Sequence, residues 1–188
     1  MEEQELSRRC AAGDNAAREL LYEQFSGRLF SICLRYMGDP PAAEDLLHDV
    51  FLKIFDSFGK FTWRGNGSLR AWMERVTVNA ALEYLRKNPP AGRPVPLDGR
   101  TEPAGEMLLQ EEPGGDEVDA LPPEVLMRFI AELPYGYRTV FNLYVFENKS
   151  HREIAAVLGI NEKSSSSQLL RAKRMLAGKI KAYVKERE

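Results

Sequence analysis

Residues 150–176, SHREIAAVLGINEKSSSSQLLRAKRML, constrain the chain more than any other stretch, because a helical apolar period runs through them twice with a break between. Ser150 is placed to cap a first helix running to Leu158, and Glu153, three residues on, completes a capping box. Gly159 stops that helix, since the position just past a helix end is commonly left-handed and glycine adopts it without a Cβ clash. After Ile160 and Asn161 a second helix turns Leu169, Leu170, Ala172, Met175 and Leu176 inward, with Arg171, Lys173 and Arg174 beside them. Two short helices around a Gly-containing turn match the helix-turn-helix, whose second helix lies in a DNA major groove. An ordinary helical hairpin with a basic face satisfies the same pattern.

The rest of the chain is helical by the same test. Leu6 to Ala12 and Ala16 to Tyr36 carry helical spacing, the latter through Leu20, Leu21, Phe25, Leu29, Ile32, Cys33 and Tyr36. Asp39 and Pro40 open a third helix with a capping side chain and a proline at the first helical position. Its stripe is Leu46, Leu47, Val50, Phe51, Ile54 and Phe55, and its other side presents Asp45, His48, Asp49 and Leu52. Ser68 then caps a helix to about Lys87, with Leu69, Trp72, Met73, Val76, Ala80 and Tyr84 inward. Strand-like alternation is missing throughout, so the expected class is all-α. Residues 89–123 hold eight prolines and five glycines. Such a composition buries too little surface to offset its conformational entropy, which predicts a flexible linker. The expected organisation is a helical domain at 1–88, a linker at 89–123 and a helix-turn-helix domain at 124–188.

The formal net charge of −2 conceals a strong asymmetry. Residues 1–88 carry net −1, residues 89–123 net −6 and residues 124–188 net +5. From Lys163 onward there are eight basic residues and two acidic ones, the footprint of a nucleic-acid-binding end. The two cysteines, Cys10 and Cys33, give no disulfide framework, and with His48 and His151 they form no metal-ligand spacing. No metal, no cofactor and no catalytic cluster is expected, which excludes a hydrolase or nuclease. The start, MEEQELSRRC, lacks a secretory pattern and no apolar run is long enough to insert stably in a membrane, so the expected location is the cytoplasm.

Two features of the first block go beyond a generic bundle. Asp45 and Asp49 put acidic groups at i and i+4 on one solvent face, while residues 60–87 hold six basic residues against two acidic ones. The loop Phe61-Thr62-Trp63-Arg64-Gly65-Asn66-Gly67-Ser68 combines aromatics, a cation, an amide and two glycines. Binding single-stranded DNA needs aromatic stacking surfaces and cations, and capturing an unstacked base needs a pocket of polar edges. A hairpin loop whose Trp63 tucks into the core accounts for the composition equally well.

At this point the residues match a family. AEDLLHDVFLKIF followed by FTWRGNGSLRAWMERVTVNAALEYLRK closely resembles region 2 of bacterial RNA polymerase sigma factors, and ELPYGYRTVFNLYVFENKSHREIAAVLGINEKSSSSQLLRAKRML resembles their region 4. The two in this order, with no region 3 between, look like the extracytoplasmic-function (ECF) group. The wording of GSLRAW and SSSSQLLRAKRML is most similar to ECF factors of Bacteroidetes-type bacteria.

The resemblance implies a promoter-specificity subunit that recognises −35 and −10 elements and nucleates melting, with no catalysis of its own. Its partners would be promoter DNA, the clamp helices of the largest subunit of core RNA polymerase, the flap of the second-largest, and an anti-sigma factor. Asp45, His48 and Asp49 fall on the family's Asp-x-x-Gln-Glu docking positions, with Leu52 beside them. His48 replaces Gln, which gives docking a dependence on pH. Trp63, Arg64, Gly65, Asn66, Gly67 and Ser68 map to the loop that captures a flipped −10 base on the non-template strand. Asn66 stands where an acidic residue is common. Asn79 matches a −10-reading Asn, and Arg75 and Arg86 are expected at phosphates. In region 4 the matching −35 positions are Ser164, Ser166, Ser167, Leu170 and Arg171, with Lys173 and Arg174 nearer the backbone. Ser166 stands where many relatives carry Arg, so side-chain discrimination there is weaker. The acidic linker would thread toward the polymerase cleft. A stand-alone operator-binding regulator is the competing function; it needs a ligand pocket, receiver or dimer interface in the first block, and none is seen in the sequence.

Overall fold

The computed structural model describes residues 2–89 and 121–187, so most of the linker expected at 89–123 lies outside the described residues. Among the described residues every regular element is helical. The chain divides into two compact units, Met1–Asn88 and Pro89–Glu188, and each is described by itself.

Unit 1 opens with α1 (Glu3–Ala11), three residues ahead of the expected start at Leu6. That first turn has no apolar signal, but Glu3 and Glu5 suit a helix N-terminus and Arg8 and Arg9 suit its end. Helix α2 (Asn15–Met37) is capped by Asp14, whose carboxylate accepts from Ala16 N (2.9 Å) and Ala17 N (3.2 Å). The Arg9 guanidinium bonds the same carboxylate at 2.7 Å and holds it below the usual range. Helix α3 (Pro40–Ser57) starts as expected: Asp39 accepts from Ala42 N at 3.1 Å and Pro40 sits in the first turn. A 3₁₀ turn at Phe58–Lys60 and the loop 61–67 lead to α4 (Ser68–Lys87).

Helices α2, α3 and α4 pack on one another, with α1 against α2 and the 3₁₀ turn. Leu6, Leu21, Leu29, Tyr36, Val50, Ile54, Leu69 and Met73 are fully buried between them. Each aliphatic side chain removed from water contributes roughly 1.5–3 kcal/mol, so packing rather than helix propensity holds the bundle. Two expectations need correcting here. The buried stripe of α4 is Leu69, Met73, Thr77, Val78, Ala80, Ala81 and Leu85, while Trp72, Val76 and Tyr84 are half-buried. A polar Thr77 can occupy the stripe because its hydroxyl donates to Met73 O at 2.8 Å. Ser68 is the first residue of α4 rather than its cap; the cap position is Gly67, in the left-handed region at φ 88°.

Unit 2 contains α5 (Pro123–Ala131), α6 (Tyr135–Val145), α7 (His151–Leu158) and α8 (Glu162–Lys185). Leu121, Phe129, Ile130 and Leu133 close on Ala172, Leu176 and Ile180 of α8. Leu121 and Pro123 fall inside the span expected as linker, so packed structure extends a few residues into it. Val140, Leu143, Ile154, Ala155 and Leu169 are also buried. Arg138, 8% exposed, donates from Nη1 to Ala131 O (2.6 Å) and Leu133 O (3.2 Å), satisfying carbonyls where α5 ends. Burial lowers its pKa.

Candidate nucleic-acid and protein interfaces

On α3, Asp45, His48, Asp49 and Leu52 are all exposed, at i, i+3, i+4 and i+7, and so form one stripe. They are held outward because Leu46, Leu47, Val50, Phe51 and Ile54 anchor the opposite side of the helix. Neither aspartate makes an ion pair among the described residues. Leu52 is 52% exposed, an apolar side chain left in water at the end of an acidic stripe. Beside it a groove of about 480 Å³ runs between α2 and α3, with Tyr22, Phe30, Leu47 and His48 among its lining. His48 therefore belongs to both the stripe and the groove rim.

The loop before α4 is built on an aromatic floor. Phe61 packs against Trp72 (ring centroids 5.0 Å) and Phe58 (6.4 Å), and Phe58 against Trp72 (5.3 Å). Above this floor Trp63, Arg64 and Asn66 point into solvent; Trp63 is 36% exposed, so it does not tuck into the core. Backbone bonds shape the turn: Ser68 N donates to Gly65 O and Arg64 N to Ser68 Oγ, each at 3.1 Å. Ser68 is thus half-buried and structural as well as adjacent to the exposed trio. Gly67 supplies no side chain to cap α4, and the carboxylate of Glu3 takes that place, accepting from Gly67 N and Leu69 N. Nothing local in the sequence signals this contact, because it joins positions 64 and 66 residues apart.

Along α4, Arg75, Asn79 and Arg86 are exposed on one face, spaced by four and seven. Neither arginine has a carboxylate partner among the described residues. The acids of this helix are engaged elsewhere: Glu74 by Arg28, and Glu83 by Lys53 (2.7 Å) and Lys87 (2.6 Å). Those two lysines pull the Glu83 carboxyl down to about 2. The result is a face with free cations and an amide, on the helix that follows the loop with the exposed indole.

In unit 2 the helix-turn-helix has the expected caps. Ser150 Oγ accepts from Glu153 N (3.3 Å) while Glu153 accepts from Ser150 N (2.8 Å), which holds the Glu153 carboxyl low. Gly159 closes α7 at φ 68°. Asn161 caps α8 by accepting from Ser164 N at 2.7 Å. This bond fixes the phase of the serine run, and with it comes a correction. Ser164, expected on the reading face, is 6% exposed, and Ser165 is buried with it; the outward stripe is Lys163, Ser166, Ser167, Leu170 and Lys173. Leu170, expected both inward and at the −35 face, is 48% exposed and so lies outward. Arg171 is half-buried and donates to Tyr137 Oη at 3.3 Å, and Arg174 is partly exposed. His151 braces the turn, its Nδ1 2.9 Å from Ser165 Oγ and its ring stacked on Tyr144 at 5.0 Å.

Among the described residues no group of three His, Cys, Asp or Glu side chains could hold a metal ion, and no helix is long and apolar enough to cross a membrane. Both cysteines are buried; burial pushes the Cys33 thiol to about 12 and raises Cys10.

Comparison with known proteins falls on these same two units. Residues 21–89 match the family model described as Sigma-70 region 2, and residues 124–176 the model described as Sigma-70, region 4. The chain is 26% identical over 195 residues to the RNA polymerase sigma-H factor of Pseudomonas aeruginosa, covering 98% of this chain and 97% of that one. It is 25% identical to the ECF RNA polymerase sigma-E factor of Escherichia coli K12, covering 97% and 96%. A solved chain described as CnrH in complex with the cytosolic domain of CnrY is 21% identical, with a TM-score of 0.45 and 94% and 96% covered.

Proposed function

We propose how the work is divided in this chain, which belongs to the sigma-70 family as a promoter-specificity factor of the ECF type for RNA polymerase. Unit 1 carries the polymerase-docking stripe and the −10 face, and unit 2 carries the −35 face. The observation that carries this division is the coexistence, in one small bundle, of an unpaired acidic stripe on α3 and unpaired cations on α4. An acidic stripe ending in an exposed leucine suits a protein partner, here the clamp helices of the largest polymerase subunit. Arg75, Asn79 and Arg86 with Trp63, Arg64 and Asn66 suit single-stranded DNA, through cations for phosphates and an indole for stacking.

Base capture follows from that layout. Trp63 and Asn66 offer an unstacked −10 base a stacking face and an amide edge, and binding it offsets the few kcal/mol that unstacking costs. In unit 2, Ser166, Ser167 and Leu170 meet base edges while Lys163, Lys173 and Arg174 meet phosphates. Serine hydroxyls donate or accept to several bases, so this helix positions the chain more than it discriminates. Ser164 acts from the interior, in shaping the first turn.

The remaining assignments extend the family resemblance. The flap of the second-largest subunit is the partner we assign to unit 2. An anti-sigma factor is the partner that would cover exposed apolar groups such as Tyr144, Phe146 and Val157, each more than a third exposed. The net −6 of residues 89–123 suits a segment threading a cleft made for nucleic acid. The motifs GSLRAW and SSSSQLLRAKRML support a place among Bacteroidetes-type members, and a polymerase partner supports a cytoplasmic location.

Reconstitution tests the whole assignment. The chain added to core polymerase should start transcription at selected promoters, whereas alone it should bind duplex DNA weakly. A chain that fails to co-purify with core polymerase, or that binds operator duplex tightly by itself, would be a stand-alone regulator instead.

A further inference from the structure

The loop that presents Trp63, Arg64 and Asn66 is tied down from outside the matched region 2. The only charged group on its backbone among the described residues is the carboxylate of Glu3, which accepts from Gly67 N and Leu69 N together. Glu3 lies in the first turn of α1, eighteen positions before the region 2 match begins at residue 21. The physical reason for the contact is plain. The first N–H groups of a helix lack intrahelical acceptors and carry the positive end of its dipole. Gly67 makes no side-chain cap, so a carboxylate delivered from another element fills the vacant role with two charge-assisted hydrogen bonds.

From this we infer that Glu3 is a positioning residue for −10 base capture, acting through the Gly65–Ser68 backbone. The inference rests on the reading of the loop given above. Gly65 and Gly67 both have positive φ, 116° and 88°, so side-chain packing gives this turn little support. With no Cβ at either position, backbone hydrogen bonds decide where Asn66 and Trp63 sit. Ser68 Oγ fixes one limb through Arg64 N, and Ser68 N closes on Gly65 O. Glu3 fixes the other limb and couples it to the start of α4, the helix that carries Arg75 and Asn79. Glu3 is itself held in place, because Leu6 and Cys10, at i+3 and i+7 on the same face of α1, are buried in the bundle. The neighbouring Glu5 makes a different bond, to Arg8 on its own helix, and serves as an internal control.

Glu3→Gln is the informative change. It keeps shape and length but places an amide NH₂ where one of two N–H donors needs an acceptor. The experiment reconstitutes holoenzyme from core polymerase and the full chain as wild type, Glu3→Gln, Glu5→Gln, Asn66→Ala and the Glu3→Gln/Asn66→Ala pair. Each is titrated with a labelled single-stranded oligonucleotide carrying the non-template −10 sequence of a promoter the wild type uses. Core affinity and the thermal midpoint of the free chain are measured alongside. Glu3→Gln should weaken oligonucleotide binding by about fivefold to tenfold, the scale of one ordinary hydrogen bond. Core affinity should stay within about twofold, and Glu5→Gln should match wild type. The pair should lose less than the product of the two single losses, because both act on one loop.

Three results would overturn the inference, and they are distinguishable. Asn66→Ala weakening binding while Glu3→Gln does not would show that the loop reads DNA without needing Glu3. Glu3→Gln weakening core affinity as much as DNA affinity, with a multiplicative pair, would reduce Glu3 to a folding role. Asn66→Ala leaving the oligonucleotide titration unchanged would remove the loop from −10 recognition, and Glu3 with it.

Discussion

Asp45 and Asp49 are exposed carboxylates without an ion-pair partner among the described residues, and that is what makes them testable alone. Changing both to alanine removes charge without touching the core, so the thermal midpoint should hold while affinity for core polymerase falls about tenfold or more, the equivalent of about 1.4 kcal/mol. Pull-down against core polymerase measures it, and undiminished binding would move docking off this stripe. Arg75 makes a different kind of prediction. Arg75→Ala should weaken −10 oligonucleotide binding and flatten its dependence on log salt by roughly 0.7, one released counterion on a single strand. Weakened binding with an unchanged salt slope would mean Arg75 contacts something other than a phosphate. At this scale the sequence was readable wherever a shared exposed face follows from helical spacing. Positions 45, 48, 49 and 52 share a face by arithmetic alone. Ser164 was not readable, because one bond from Asn161 sets which serines turn inward. Glu3 was invisible, since its partners lie more than sixty positions away.

Single elements show how caps and buried polar groups fix what the recognition surfaces rest on. Arg138 spans the end of α5 from α6, and its guanidinium is buried against two carbonyls. Arg138→Met should destabilise unit 2 by roughly 2–3 kcal/mol through the carbonyls left unpaired, offset in part by the apolar stem. Chemical denaturation of unit 2 followed by a probe in α8 reads the loss, and a change near zero would show that water replaces the guanidinium. On α4, Glu83 has a carboxyl pKa of about 2 against an ordinary 4.5, because Lys53 and Lys87 favour its charged form. A depressed folded-state value means that the pairing stabilises unit 1 above about pH 4.5 and ceases to do so as pH falls toward 2. Glu83→Gln should therefore lower the melting midpoint slightly at pH 7, with the gap to wild type closing on acidification. A gap independent of pH would assign the effect to packing. The start of α3 was legible because Asp-Pro is a local signal. The face of α4 was misjudged by a fraction of a turn, since a buried threonine with its own hydrogen bond looks polar in the sequence. The serine run of α8 is a poor helix former by propensity, yet its first turn is helical because Asn161 and His151 hold it.

At the scale of the molecule, charge divides the chain more clearly than hydropathy does. On the proposed division, the net +5 of residues 124–188 makes duplex binding by the helix-turn-helix segment mostly electrostatic. Raising salt from 50 to 200 mM should cost the −35 interaction on the order of 10³-fold if about six phosphates are contacted. Fluorescence anisotropy with duplex and scrambled duplex measures this, and a shallow slope would contradict a phosphate-dominated grip. The two-unit plan was readable because proline and glycine interrupt helical periodicity for more than thirty residues. The order of the two matched regions was readable only through the resemblance of residues 43–87 and 132–176 to sigma-factor regions 2 and 4. Unit 1 ends at Asn88, one residue past the helix that carries Arg86, and the core of unit 2 begins at Leu121. Thirty-three peptide steps separate them and can span at most about 110–120 Å. Roughly 25 base pairs of duplex between promoter elements span only about 85 Å at 3.4 Å each. That upper bound exceeds the promoter spacing, so chain length by itself does not set the distance at which two promoter elements count as a pair.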